Sequence, residues 1–466
     1  MSSKMFKVLL AIASVLAAIA ASLWLVSRPP NLENLPKLDH GQWWGPMGLK
    51  GKTDESIRPF KIEFSEQMVK DLKQRLENFR APPPPLDGVA FNYGFNSALL
   101  DDWRRYWRDQ YDFKAREQFL NKYPQYKTNI QGLDIHFIRV QPKVSPGVEV
   151  LPLLMMHGWP GSVAEFYEAI PLLTHQAPGQ DFVFEVIVPS LPGFGFSDAA
   201  VRPGMGSSQV AVVMRNLMHR LRHKQFYLQG GDWGALIGSN MVTLFPDEVL
   251  GFHCNMALAR NMRSNILSLL GAVFPSLVVA PHLAHRLYPL SQYFQNLMLE
   301  TGYFHIQATK PDTVGVGLTD SPLGLLAYIL EKFSTGSRLA FRDREDGGLL
   351  EFYSKDQLLD NLMIYWTSGA MTTAMRLYAE SSSKAHSALD VDEYQTPVPT
   401  WALQASNDFY YPPTLLRTKF VNLLDVTELD GGHFIALEQP GNFAEDVFKA
   451  VKAFRKWRSD KGRSEL

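Results

Sequence analysis

Cysteine is almost absent. Cys254 is the only one in 466 residues, so no intrachain disulfide can form and the chain is not built for an oxidising compartment. It lies in the apolar run "VLGFHCNMAL" and reads as a packing residue. No Asn-x-Ser/Thr acceptor occurs, which argues against folding in a secretory lumen. An excess of charge of either sign is also missing. With 46 Lys and Arg against 47 Asp and Glu, the formal net charge of -1 leaves no electrostatic footprint for a nucleic acid. The 46% hydrophobic content excludes a disordered chain, and neither an internal repeat nor a low-complexity tract is present. No Gly-x-Ser-x-Gly occurs, so a serine esterase would have no obvious nucleophile.

One long apolar run is present. "VLLAIASVLAAIAASLWLV", Val8 to Val26, has Ser14 and Ser22 as its only polar side chains and is about the length of a bilayer-spanning helix. Ala18-Ile19-Ala20 would pass as a signal-peptide cleavage site, but the run continues through Leu23-Trp24-Leu25-Val26, which favours an anchor over residues 1–30. Lys4 and Lys7 on one side are matched by Arg28 and Lys37 on the other, so basic residues set no orientation. The missing cysteines and glycosylation sites place the folded part in the cytosol.

Residues 31–131 form an extension. It begins as a Pro-, Gly- and Trp-rich arm through "GQWWGPMG", and Ser65 can cap a helix with Val69, Leu72 and Leu76 on one face. "APPPPLDG" reads as a stiff connector, and the aromatic helix "LLDDWRRYWRDQYDF" follows. From Gly132 strand-like and helix-like segments alternate, the pattern of a mainly parallel sheet covered by helices. The alternation stops over 258–392, where helical, Met- and aromatic-rich segments take over, and resumes over 393–466. One sheet domain, 132–257 plus 393–466, interrupted by a helical lid over the strand ends, is the simplest organisation.

Chemistry concentrates in "LQGGDWGALIG". Gly230, Gly231 and Gly234 surround Asp232 between a strand-like and a helix-like segment, as small residues do where an α/β-hydrolase displays its nucleophile on a strained turn. A carboxylate there suits a saturated carbon. Serine attacking such a carbon would give an inert ether, whereas aspartate gives an ester that water can cleave in a second step, which points to an epoxide or an alkyl halide. "LDGGHFIALEQP" offers His433 as the base for that step, and "LQASNDFYYPP" offers Asp408 to orient it. The loop "HGWPGS" follows a strand, and the backbone N–H groups of Trp159 and Trp233 are the natural oxyanion donors. His157 reads as structural.

Taken together, "HGWPGS", "SLPGFGFSD", "GGDWG", "GYFHIQATKPDTVG", "YWTSG" and "GGHFIALEQP" resemble the microsomal epoxide hydrolase family over essentially the whole chain, and within it the insect juvenile hormone epoxide hydrolases. The resemblance implies an α/β-hydrolase fold with an inserted helical lid, an N-terminal extension domain and an N-terminal transmembrane anchor. It also implies two lid tyrosines that donate to the oxirane oxygen, falling on Tyr303 and Tyr378, with Tyr365 the rival for the second place. A phenol suits that role because it donates without prior ionisation. Mammalian members carry glutamate as the relay acid where this chain has Asp408. The expected reaction converts a lipophilic epoxide, hormonal or foreign, to a vicinal diol. No metal or organic cofactor is implied, and the partners are the small-molecule epoxide and membrane lipid at the endoplasmic reticulum. Two alternatives stand beside this reading: a haloalkane dehalogenase, and a catalytically inactive hydrolase fold that binds an apolar ligand.

Overall fold

The computed structural model describes Ser14, Ser22 and residues 27–464. The apolar run Val8–Val26 otherwise lies outside the described residues. Among the described residues no single helix is long and apolar enough to cross a membrane.

Nine strands form one sheet in the order β1-β2-β3-β5-β4-β6-β7-β8-β9. They are β1 Arg58–Phe60, β2 Gln125–Ile130, β3 Leu133–Val140, β4 Glu149–Met156, β5 Phe182–Pro189, β6 Phe226–Gly230, β7 Val249–Asn255, β8 Thr400–Ala405 and β9 Leu423–Leu429. From β5 across to β9 the neighbours are parallel, while β1, β2 and β3 form an antiparallel flank joined to β5. The parallel strands read as near-continuous apolar runs because both faces are covered; every residue of β5 is buried. One core lies on each face. Val210, Val213 and Leu217 of α2 (Ser207–Arg220) and Ile237 and Met241 of α3 (Trp233–Leu244) fill one. Phe443, Val447, Val451 and Phe454 of the last helix, Pro440–Ser464, fill the other.

The sheet begins earlier than the alternation in the sequence. β2 lies ahead of residue 132 and turns into β3 through Gln131 and Gly132, both at positive φ (55° and 89°), so the boundary at Gly132 cuts a hairpin. β1, from the extension, adds the edge strand. The extension helix α1 (Glu66–Glu77) starts where Ser65 accepts from the Met68 N–H and buries Leu72 and Leu76. Residue Trp44 of the arm is buried, donates to the Gln131 carbonyl at 2.8 Å and accepts from Val201 N–H at 3.1 Å, so the arm is strapped onto this hairpin.

No strand lies between β7 and β8 among the described residues. Helices occupy that insertion, including α4 (Met262–Gly271), α5 (Leu290–Glu300), α6 (Gly302–Thr309), α7 (Pro322–Ser337), α8 (Lys355–Ser368) and α9 (Met371–Ser381). β4 is flanked by β5 on one side and β6 on the other. The connections leaving β4 and β6 therefore diverge and open a crevice at the carboxyl ends of the strands, where ligands bind in such sheets. The insertion covers that end.

Candidate active site

Asp232 sits between β6 and α3 with φ 49° and ψ -122°, a conformation that costs a non-glycine residue on the order of 1–3 kcal/mol. Its glycine neighbours permit the turn. A Cβ on Gly230 would collide with the Gly234 carbonyl, one on Gly234 with the Met156 carbonyl, and one on Gly231 with the Asn255 amide. The backbone is packed too tightly for side chains, and Asp232 is thrown clear toward the loop after β4.

That loop meets it directly. Trp159 N–H donates to Asp232 Oδ1 at 2.8 Å, and the Trp233 N–H acts on the same carboxylate. Gly158 must be glycine, because a Cβ there would strike the Asp232 side chain. Burial pushes the Asp232 carboxyl up from its ordinary value, while His433 and the two N–H groups pull it back. His157 is held neutral by burial, with a pKa near 4; its Nδ1 donates to Gly158 O and its Nε2 accepts from Leu191 N–H, so it braces the loop. Helix α8 holds the loop from the other side: Asn361 donates to Pro160 O and Tyr365 to Gly161 O, each at 2.8 Å. Tyr365, the rival second tyrosine, thus has its hydroxyl proton engaged. Asn361 was not singled out in the sequence, where nothing about an isolated asparagine in a helix marks it.

His433 stands opposite. Its Nε2 is 3.6 Å from Asp232 Oδ2, and its Nδ1 is 3.1 Å from both oxygens of Asp408. Burial lowers the imidazole pKa, but Asp408, Asp232 and Glu165 more than reverse this and hold it up at about 10. The His433 loop is fastened to the insertion. His433 N–H donates to Gly336 O at 2.8 Å, and Phe434 stacks on Phe333 at 4.1 Å. Glu438 accepts from Gly432 N–H at 2.9 Å and from Tyr353 O–H at 3.1 Å, while the Tyr353 hydroxyl also bonds Ser337 at 2.7 Å. Glu438 and Glu165 were missed in the sequence. Glu165, half-buried beside Gly161, is pushed by desolvation to about 8 and is a neutral acid at neutral pH.

Tyr303 and Tyr378 close the site from α6 and α9, their rings 6.1 Å apart. Tyr303 stacks on Trp159 at 5.0 Å, and Tyr378 meets Trp233 edge-on at 4.7 Å. The buried Tyr378 hydroxyl has no hydrogen-bond partner; the Trp233 indole N–H approaches it without completing a bond. Burial raises both phenols, so both keep their protons. A cavity of about 420 Å³ leads outward from Trp159, Tyr303, Asp408 and His433 between α5 and α7. The seven residues expected from the sequence, Asp232, Trp159, Trp233, His433, Asp408, Tyr303 and Tyr378, therefore meet at the carboxyl ends of the strands.

Two family descriptions match the chain: "Epoxide hydrolase N terminus" over residues 57–166 and "alpha/beta hydrolase fold" over 152–300. A juvenile hormone epoxide hydrolase of Bombyx mori is 57% identical over 96% of this chain and 97% of its own length. Epoxide hydrolase 1 of Oryctolagus cuniculus is 46% identical over 95% and 98%. The crystal structure of the Bombyx mori juvenile hormone epoxide hydrolase superposes with a TM-score of 0.89 at 58% identity, covering 90% of this chain and all of that one. An Aspergillus niger epoxide hydrolase gives 0.71 at 25% identity over 87% and 98%. Fold and function follow from relatives matched along nearly their whole length: the chain is an epoxide hydrolase with the α/β-hydrolase fold and belongs to the microsomal epoxide hydrolase family.

Proposed function

We propose that Asp232 is the nucleophile of a two-step hydrolysis of lipophilic epoxides. Its Oδ1 already accepts from the Trp159 N–H, so Oδ2, the oxygen facing His433, is the one free to attack an oxirane carbon from the back. Tyr303 and Tyr378 donate to the departing oxygen, and a hydroxyalkyl ester forms on Asp232. His433, oriented by Asp408, then takes a proton from water as that water attacks the Asp232 carbonyl carbon. The oxyanion develops on Oδ1, between the N–H groups of Trp159 and Trp233, and collapse releases the vicinal diol and restores the carboxylate. One observation carries this reading: a single carboxylate has one oxygen on a backbone donor and the other toward an imidazole paired with a second acid.

The helical insertion acts as a lid over this site, with the chain divided as the sequence suggests into anchor, extension, core and lid. Residues Val8–Val26 span the membrane of the endoplasmic reticulum once, with the catalytic part toward the cytosol. The substrate class is a bulky apolar epoxide of the juvenile hormone kind or a foreign compound of similar character. Support comes from the named activity of the relatives and from the Leu297, Leu339, Phe409 and Phe434 side chains in the cavity wall, which stand there among polar groups such as Glu300, Lys332 and Asn407.

The test is a single turnover with enzyme in excess over a lipophilic epoxide in ¹⁸O-water. The first diol should be unlabelled, with the label entering Asp232. Label in the first diol and none in Asp232 would mean direct attack by water.

A further inference from the structure

Large apolar side chains left in the open are concentrated in one part of this molecule. Twelve of the twenty-three among the described residues lie between Met262 and Val316. Leu269, Leu270, Val273, Phe274 and Leu277 follow one another from the end of α4 into the next turn, and Phe294 and Met298 lie one turn apart on α5. Val273 is 70% exposed and Met298 81%. Patches of this kind mark interaction sites. The two helices form one unit: Val278, Val279, Leu287 and Tyr288 bury together between them, and the Tyr288 hydroxyl donates to Ser268 O at 3.0 Å.

Two further features point to the occupant. Residues 249–299 contain no Asp or Glu, and the acids that flank the start of α4, Asp392 and Glu393, are engaged by Arg260 and by the Met262 N–H, so little here repels an anionic lipid surface. The N-terminal arm also ends beside it. Tyr394 O–H donates to Asn34 O at 2.6 Å, the adjacent Glu393 accepts from Met262 N–H at the start of α4 at 3.0 Å, and Arg260 pairs with Asp392 at 2.9 Å. Asn34 stands eight residues on from Val26, the end of the apolar run. Fully extended they reach about 29 Å at most, so a bilayer holding that run lies near this face.

We propose that the outer face of α4 and α5 docks on the bilayer, seating Leu269, Val273, Phe274, Phe294 and Met298 at the headgroup boundary. The opposite face of α5, through Tyr293, Asn296, Leu297 and Glu300, lines the cavity. The helix is thus the partition between lipid and active site, and an epoxide dissolved in the bilayer has only this partition to pass. The inference rests on the anchor and substrate readings given under Proposed function.

Cys254 is the only cysteine and is buried, so an introduced surface cysteine takes a fluorophore selectively. Full-length Val273→Cys, Met298→Cys and a control, Leu172→Cys, are labelled with a polarity-sensitive dye. They are reconstituted in phosphatidylcholine and phosphatidylserine vesicles carrying a spin-labelled acyl chain. At positions 273 and 298 the emission should shift to the blue and be quenched by the lipid spin label; at 172 it should do neither. Flotation with the vesicles but water-like emission at 273 and 298 overturns the docking face alone, and failure to float overturns the anchor with it. A blue shift that appears in detergent, scales with protein concentration and ignores the spin label assigns the face to a second copy of the chain and overturns the proposal. In a kinetic arm, the combined L269Q/V273Q/F274Q/M298Q variant should raise KM for a vesicle-borne epoxide about tenfold while keeping kcat/KM for a short water-soluble epoxide within about twofold. Equal losses on both substrates overturn it, and the soluble substrate reports that the variant is folded.

Discussion

The resting charge of His433 looks at first wrong for a base. Burial lowers its pKa, but Asp408, Asp232 and Glu165 hold it at about 10, so the imidazole carries its proton at neutral pH. The proposed two-step reaction resolves this, because an alkylated Asp232 would be neutral and would no longer help to retain that proton. His433 is then freed at the step that requires a base. The ring titration midpoint followed by NMR should accordingly be lower in Asp232→Asn than in the parent, and an unchanged midpoint would contradict the coupling. Since its folded pKa lies above the ordinary 6.5, the His433 proton contributes stability in full below about pH 6.5 and loses that contribution as pH rises through about 10. Glu165 works in the same direction, over a lower pH range. Its folded pKa near 8 against an ordinary 4.5 means that unfolding releases a proton, so stability falls as pH climbs from 4.5 to 8. Glu165→Gln should therefore gain in melting temperature relative to the parent between pH 5 and pH 8. His433→Gln should still alkylate and accumulate the ester, seen as a mass increase equal to the epoxide, with turnover reduced about 10²–10⁴-fold. Replacing Tyr303 or Tyr378 by Phe should slow alkylation instead and leave ester hydrolysis intact, which single-turnover traces separate.

Among the elements, the two loops at the β4 and β6 ends work as one piece, because Gly158 and Asp232 touch. Gly158→Ala introduces a methyl group where the carboxylate stands. It should keep the circular dichroism of the parent while alkylation drops at least about 10²-fold, the cost of losing one aligned donor. These motifs were legible in the sequence because each is local: glycines around one polar residue, placed between a strand pattern and a helix pattern. The bracing was not legible. Asn361 and Tyr365 reach Pro160 and Gly161 across two hundred residues of chain, and no periodicity encodes such a contact. Glu438 lies only six residues from Gly432, yet it looks like any helix-start acid until Tyr353 and Ser337 are brought to it. β1 and β2 were also missed. β1 is three residues long, and β2 carries Lys127, Thr128 and Asn129, polar enough at the sheet's flank to hide the strand.

For the whole molecule, the extension and the helical insertion stabilise each other. Tyr111 donates to Asp360 at 2.8 Å and Arg116 pairs with it, one residue before Asn361 grips the loop after β4. The arm adds a strap at the sheet edge, where Gly132 lies against the Trp43 ring and Trp44 is buried. Trp44→Ala should lower unfolding stability by about 3–5 kcal/mol, the usual cost of emptying a buried aromatic site. Denaturant titration checks this, and a loss under about 1 kcal/mol would show the strap to be dispensable.

The sequence by itself determined the class of chemistry, since an aspartate in a glycine-framed turn suits saturated carbon and water cleavage of an ester. It also determined the parallel core, since apolar runs alternating with amphipathic helices have one economical packing. Only the tertiary structure decided which oxygen of Asp232 faces His433, which tyrosine hydroxyl is left without a partner, and which helix stands between the cavity and the apolar outer face. Those are matters of distance and direction between segments remote in the chain, and they exist only once the insertion has closed over the strand ends.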